Sequence, residues 1–296
     1  MKIKDDSYMK WFRLIAFVVI LGATVLCLFP FLLIISASFT QNDAIIKDGY
    51  HLIPTVFSFE GYATVFRFPK QVLTAYGVTT MTTIIGTTLG LFFMTMAGYV
   101  LQRKDFKYRN FFAFMIYFTT LFGGGLVPWY ILITKYLKLT DKLEVLILPG
   151  LMTPFLIILM KNFIRSAVPD EVIESAKIDG ANDFTIYSRI VLQLSMPGIA
   201  TVGLFLALHY WNDWFTSSLF INDTTKYQLQ YYLYNVINAM SFVAQMGSGT
   251  GVSLGDMPTE STKMAMSVIV TGPILFLYPF VQRYFVKGLT IGAVKG

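Results

Sequence analysis

Three groups of residues carry the chemistry this chain could do. The first lies in PDEVIESAKIDGANDFTIYSRIVLQLSMP, from Pro169 to Pro197, where, within Asp170 to Asp183, Asp170, Glu171, Glu174, Asp179 and Asp183 stand against one base, Lys177. The second is Tyr210-Trp211-Asn212-Asp213-Trp214. Flat rings beside an amide and a carboxylate stack on and hydrogen-bond to sugars, and the same set also makes an interfacial aromatic belt above a helix-end acid. The third is Thr79, Thr80, Thr82, Thr83, Thr87, Thr88 and Thr95 around Gly86-x-x-x-Gly90. Its hydroxyls either line a polar path or bond their own helix while the glycines admit a neighbour. No nucleophile stands beside a base, and no set of residues has metal-ligand spacing, so neither catalytic nor metal residues are expected. Cys27, the one cysteine, sits in an apolar run and reads as a small hydrophobe. The two histidines are uninformative: His51 lies in the first outer loop, and His209, before the aromatic cluster, fits helix packing and ligand contact equally.

The elements that must hold these groups are set by composition. The chain has 296 residues, 55% hydrophobic and 14% charged, with a mean hydropathy of +0.61. That balance excludes an ordinary soluble globule. Six apolar segments have the length a helix needs to cross about 30 Å of hydrocarbon: Phe12 to Ala37, Val72 to Leu101, Phe111 to Ile133, Val145 to Phe163, Gly198 to Ile221 and Ala265 to Phe285. The first follows basic residues like a signal peptide, but its apolar core is too long for one. The predicted fold class is an all-α membrane protein of six transmembrane helices, with loops outside at 38–71 and 222–264.

Orientation follows from the bases. With the amino terminus (1–11) inside, 15 of the 23 Lys and Arg fall on the cytoplasmic side, including Arg103, Lys104, Lys161 and Arg165. This is the bias of the positive-inside rule, so both termini, with the 286–296 tail, are predicted to be cytoplasmic. The same bias accounts for the net charge of +6 without nucleic acid.

The acidic stretch 169–192 then lies in the cytosol, where an anionic leaflet would repel it and a protein surface suits it. Pro169 fits a helix start, the acids fit its first turn, and Asp179-Gly180 should stop it. Asn182 is a good N-cap for a second helix striped by Phe184, Tyr187 and Val191. Two helices joined by a turn would form a shelf.

Glu174-Ser175-Ala176-Lys177-Ile178-Asp179-Gly180-Ala181, followed by Phe184, Tyr187 and Arg189-Ile190-Val191-Leu192 before Pro197, closely resembles the EAA loop of bacterial ABC-importer permeases. Further matches are Ala97-Gly98-Tyr99-Val100-Leu101-Gln102-Arg103-Lys104, Leu146-Ile147-Leu148-Pro149, Tyr210-Trp211-Asn212-Asp213 and the closing segment from Phe285. Together they resemble the carbohydrate-uptake permeases of the maltose-importer G-subunit type, in the branch for complex oligosaccharides and lipoprotein-coupled systems. Two positions depart from the pattern. Ser175 replaces the second motif alanine, and Gln193 stands where a proline is common, which leaves the exit of the second helix longer.

The resemblance implies a type I ABC importer permease fold, with the transmembrane domain at 72–285 and cytoplasmic EAA coupling helices. It implies ATPase coupling through Glu174, Ser175, Ala176, Asp179, Gly180, Ala181, Phe184 and Tyr187. Gly180 would supply a backbone conformation closed to side chains, and Ala176 and Ala181 would permit close approach. A substrate path would draw on Tyr210, Trp211, Asn212, Asp213, Trp214, Thr83 and Thr87. Expected partners are a second, non-identical permease, two copies of a cytoplasmic ABC ATPase, an extracellular or lipid-anchored solute-binding protein, and a carbohydrate, most readily an oligosaccharide. No cofactor is expected in this chain, because ATP and Mg would bind the ATPases. The sequence itself lacks G-x-x-x-x-G-K-[ST]; GSGTGVSLG, 247–255, has no lysine, and Gly123-Gly124-Gly125 would mark a break or a tight helix contact instead. The segment Asn222 to Lys263 is expected to be an outer loop, reaching toward the binding protein or simply connecting. The carboxyl-terminal tail, Gly288 to Gly296, is expected to touch the ATPases. The competing class, an ion-coupled carrier or channel, would show acidic or histidine relays deep in its spans, where Asp213 is the clearest intramembrane acid.

Overall fold

The computed structural model describes residues 7–67, 69–250 and 259–274. Helix dominates, and among the described residues the only extended pairing is an isolated bridge between Thr40 and Phe57. The chain divides into two compact units, Met1–Pro69 with Asn235–Thr271, and Lys70–Tyr234 with Gly272–Gly296.

In the first unit, α1 (Ser7–Ser38) is a run of apolar and small residues that tolerates Pro30 inside it. Beyond Lys10 and Arg13 its exposed surface is almost wholly apolar, with Phe17, Ile20 and Leu26 all open, as a lipid-facing helix requires. Two short helices follow, α2 (Asn42–Asp48) and α3 (Glu60–Val65), clasped by rings of Phe39, Phe57, Phe59 and Tyr62 at centroid separations of 5.0–6.4 Å. Glu60 accepts from the Asn42 amide, Asn42 Oδ1 accepts from the Glu260 amide at 2.9 Å, and Glu260 accepts from Tyr50 and Lys263, each at 2.8 Å. Its own burial, and then the Glu260 carboxylate, push the Tyr50 phenol up to about 12.

In the second unit, α4 (Pro69–Gln102) is the longest helix, followed by α5 (Arg109–Leu121), α6 (Leu126–Ile131) with a wide turn at Leu132–Tyr136, and α7 (Pro154–Ala167). Then come α8 (Asp170–Ile178), α9 (Asp183–Ile186), α10 (Leu192–Leu194), α11 (Met196–Trp211) and α12 (Phe215–Phe220). The α13 helix (Leu229–Thr250) begins in this unit, and a further helix, α14 at 259–274, belongs mostly to the first.

Two of the described helices are long and apolar enough to cross a membrane, and five crossings result if each sharply bent pair counts as one. The sequence's third span breaks by 111° between α5 and the Leu126–Tyr136 segment. Gly125 takes φ +85° at the break, and a side chain at Gly123 or Gly124 would touch nothing among the described residues, so the three glycines open the helix there and serve no tight contact with those residues. The segment expected as a loop from Asn222 holds the 22 residues of α13. Leu229, Tyr232, Leu233, Val236, Ile237 and Met240 recur at three- and four-residue spacing, a helical stripe that the polar Asn and Gln residues between them obscure. Of the sixth span, Ala265 to Phe285, residues 275–285 lie outside the described ones, as do the 286–296 tail and residues 251–255 of the glycine-rich run.

The core of the second unit brings α4, α7, α9 and α11 together through Met94, Met160, Ile164, Ile186, Val202 and Leu206, all fully buried. Tyr210 belongs to the same core. A methyl group on Gly86 would lie 2.4 Å from the Tyr210 ring and one on Gly150 2.7 Å from its hydroxyl, so both positions must be glycine for the ring to fit. Gly90 receives Leu206, completing a G-x-x-x-G seat for α11.

Candidate functional site

The shelf is built from local rules. Asp170 and Glu171 occupy the first turn of α8, where the helix dipole favours anions. The helix stops because Gly180 takes φ +81°. In that conformation the Gly180 amide reaches Lys177 O at 3.0 Å and the Ala181 amide reaches back to Ala176 O at 2.9 Å, the paired bonds of a Schellman ending. A side chain at Gly180 would have open space around it, so the need for glycine there is conformational. Two residues on, Asn182 Oδ1 accepts the Thr185 amide at 2.8 Å and starts α9. After Ile186 the helix widens over Tyr187–Val191 and continues to Leu194 before an 82° bend into α11.

The predicted coupling residues sort into two faces. Glu174, Ser175, Asp179, Gly180 and Phe184 are open, Phe184 to 65%. Ala176 and Ala181 pack partly buried against the core, and Tyr187 is buried, its hydroxyl 2.6 Å from Thr95 Oγ1 and its ring 5.8 Å from Tyr99. Ile178 is 86% exposed beside the turn, an apolar tip that sequence reading passed over. It lies about 140° around α8 from buried Ile173 at 100° per residue, so an apolar residue on the polar face was the available signal.

Sequence reading also passed over the ionic seat of the shelf. Arg103, just beyond α4, bonds both Asp105 and Asp183 and places its guanidinium 3.3 Å from the Tyr99 hydroxyl. Lys177 meets Asp105 at 2.8 Å, and Lys104 meets Asp170 at 2.6 Å. Three consecutive residues of one connector, 103–105, therefore hold α8 at both ends and α9 at its start. The bond to Asp105 raises Arg103 above its ordinary range, burial works against this, and the bond to Asp183 adds to it. Asp105 is held well below the usual carboxylate range by Arg103 first and Lys177 second.

The path candidates are placed differently from one another. Tyr210 is fully buried and donates to Ile147 O at 2.9 Å, and Trp211 is buried with its ring edge-on to Tyr76 at 6.4 Å. Asn212 is exposed and accepts from Gln230 at 3.1 Å, Asp213 accepts the Thr216 amide at 3.0 Å, and half-exposed Trp214 stacks on Tyr234 at 5.0 Å. The threonines of α4 divide as well. Thr79 Oγ1 accepts the Leu229 amide at 2.7 Å and Thr82 takes part in a buried network with Gln228 and Ser217, whereas the Thr83 and Thr87 hydroxyls are covered and have no partner among the described residues.

Residues 7–291 match the family described as "Binding-protein-dependent transport system inner membrane component". The chain belongs to this family. Among its relatives, the polygalacturonan/rhamnogalacturonan transport system permease protein YtcP of Bacillus subtilis (strain 168) is 37% identical over 97% of this chain and 99% of its own length. The protein LplC of the same organism is 39% identical over 93% of this chain and 92% of its own. In the crystal structure of a bacterial ABC transporter involved in the import of the acidic polysaccharide alginate, one chain superposes with a TM-score of 0.81 at 26% identity, covering 96% of this chain and all of that one. The fold is that of a type I ABC importer permease, and the chain is a membrane component of a binding-protein-dependent transport system.

Proposed function

We propose that this chain is one of two non-identical permeases in an ATP-driven carbohydrate importer, and that the shelf of α8 and α9 is where two cytoplasmic ATPases of the complex are coupled to it. The division of the shelf into two faces carries this reading. Ile178, Asp179, Gly180 and Phe184 project as an exposed tip, while Ala176, Ala181, Tyr187 and the Arg103 ion cluster fix its back to the core. A lever needs both a surface to be gripped and a rigid root. Exposed apolar side chains within an acidic rim suit a groove that is apolar at its base and basic at its edge. ATP and its magnesium would be held by the ATPases, whose closure would tilt the shelf and, through Tyr187–Thr95, α4. A solute-binding protein would deliver the sugar from the far side, both termini lying in the cytosol with the tail, 288–296, as a further ATPase contact.

The substrate class is supported by a relative named for polygalacturonan/rhamnogalacturonan transport and a structural neighbour involved in alginate import. An oligosaccharide cut from such a polymer is the proposed cargo. With Tyr210 and Trp211 enclosed and the Thr83 and Thr87 hydroxyls covered, its contacts on this chain would fall to Trp214, Asn212 and Asp213. The test is a cysteine pair. In a Cys27→Ser background of the assembled importer, Ile178→Cys should crosslink to a cysteine in the ATPase groove, with a yield that changes on adding ATP. An assembled, transport-active complex that gives no such crosslink from Ile178→Cys or Ser175→Cys would end the coupling assignment. Uptake of neutral and uronate-containing oligosaccharide panels by the same complex then fixes the cargo, and sugar accumulation without the ATPases would instead favour an ion-coupled carrier.

A further inference from the structure

Beside the start of α8 a cavity of about 350 Å³ opens, lined among others by Gln102, Lys104, Arg109, Lys161, Arg165 and Asp170. Its size falls in the range of small-molecule sites, roughly 300–1,000 Å³. Four bases face one acid, and that acid is already engaged with Lys104 at 2.6 Å. Arg109 spends one guanidinium nitrogen on Arg103 O at 3.2 Å. Lys161 and Arg165 stand four residues apart on α7, an arrangement in which like charges repel unless an anion lies between them. Gln102 is 8% exposed, and its side-chain amide nitrogen has no partner among the described residues. A buried donor left open costs stability, and an acceptor in this cavity would remove that cost.

Each of these observations asks for the same guest, an anion rich in acceptor oxygens, and phosphate chemistry supplies it. The guest's source is indicated by what adjoins the cavity. Past Arg109, α5 exposes Phe111, Phe112, Phe114, Met115 and Phe118 in succession, an apolar band of the kind that faces acyl chains. A cavity at the border of such a band and a basic connector sits where headgroup phosphates lie. We propose that the cavity binds the phosphate headgroup of an anionic phospholipid. Because Lys104 and Asp170 join its wall to the first turn of α8, the lipid would brace the root of the shelf.

The experiment uses the importer assembled with all its partner subunits in nanodiscs of phosphatidylcholine with or without phosphatidylglycerol, followed by native mass spectrometry of retained lipid. The wild type should retain phosphatidylglycerol in preference to phosphatidylcholine. The double variant Lys161→Gln/Arg165→Gln should lose that preference by roughly 30-fold, the expectation for two basic side chains removed from an anionic headgroup. The charge-conserving Lys161→Arg/Arg165→Lys should keep it, which separates lost binding from lost folding. Equal retention of both lipids by the wild type, or unchanged preference in the Gln variant, overturns the site. If inorganic phosphate in phosphatidylcholine discs shields Lys161 from acylation as well as phosphatidylglycerol does, the lipid assignment falls and the guest is free phosphate.

Discussion

The connector 103–105 and the knot around Asp141 and Gln228 lie toward opposite ends of α4, and they hold the chain by different means. Near the shelf the grip is ionic and its members are partly open, with the side chains of Asp105 and Asp183 50% and 66% exposed. At the other end, Asp141 takes φ +57° and accepts the backbone amides of Asn222 at 2.6 Å and Asp223 at 3.0 Å, while Gln228 is fully buried between Ser217, Thr82 and Tyr210 O. One end is fixed to itself through a carboxylate on main-chain amides and a buried amide network. The other is fixed through ion pairs to open carboxylates and leaves a tip of Ile178 and Phe184 uncovered. On the proposed coupling, the shelf would need a rigid root and a free tip, whereas the end that frames the fold closes on itself.

The comparison breaks first at Gly180. Gly180→Trp should abolish sugar uptake by the assembled importer while membrane insertion survives. The φ of +81° resists any L side chain, and an indole would stand in the tip's contact surface. Normal uptake by a correctly assembled Gly180→Trp complex refutes the role. Next is Arg103→Ala, which takes this partner from Asp183 and the Tyr99 hydroxyl and leaves Asp105 with Lys177 alone. Charge-assisted bonds are worth about 1.5–3 kcal/mol, and much of that returns through solvation of two open carboxylates. A loosening of about 1–2 kcal/mol at the shelf is expected, read as faster amide exchange over residues 170–192, with uptake lowered and binding-protein docking unchanged.

At the other end, Asp141→Ala should lower the thermal unfolding temperature of the purified complex, because it removes a carboxylate that accepts two amides and leaves a residue unsuited to positive φ. Asp141→Asn should lower it by well under half as much, since Asn tolerates the left-handed region and keeps an acceptor. Equal losses for Ala and Asn would show that the clamp is not what holds this end. The smallest effect concerns solution conditions. Asp105 and Asp141 are both held below the ordinary carboxylate range, the first by Arg103 and then Lys177, the second by the Asn222 and Asp223 amides. Their stabilisation is fully present above about pH 4, the unfolded value, and is lost as pH falls through their depressed values, so neither end should respond between about pH 5 and 8. Raising salt to about 1 M should separate them, increasing exchange at 170–192 more than at 222–230 because screening weakens ion pairs between open side chains.

How much of this was legible depends on the range of the interaction. The shelf's turn was readable because Gly180 and Asn182 act on their own neighbours, and the Schellman ending needs nothing beyond six residues. The apolar lengths gave the membrane and the helical class. The seat of Arg103 on Asp183 was not readable, since 80 residues separate the pair and a basic residue after a span already has a reason to be there. Tyr210 shows the same limit. Beside Trp211 and Asp213 it reads as a ligand-facing ring, and only the bare backbones of Gly86 and Gly150, each more than 50 residues distant, reveal that its place was made in the interior. The bend after α5 was half readable, as three glycines announce a special backbone without saying whether it opens or packs.

That bend bears on how the chain meets its surroundings. Peptide groups between Phe122 and Gly125 leave the helical ladder at mid-span, and oily tails offer them no partner. The belt of lipid around this subunit therefore has a gap on that side, which a sister subunit or a column of water must fill.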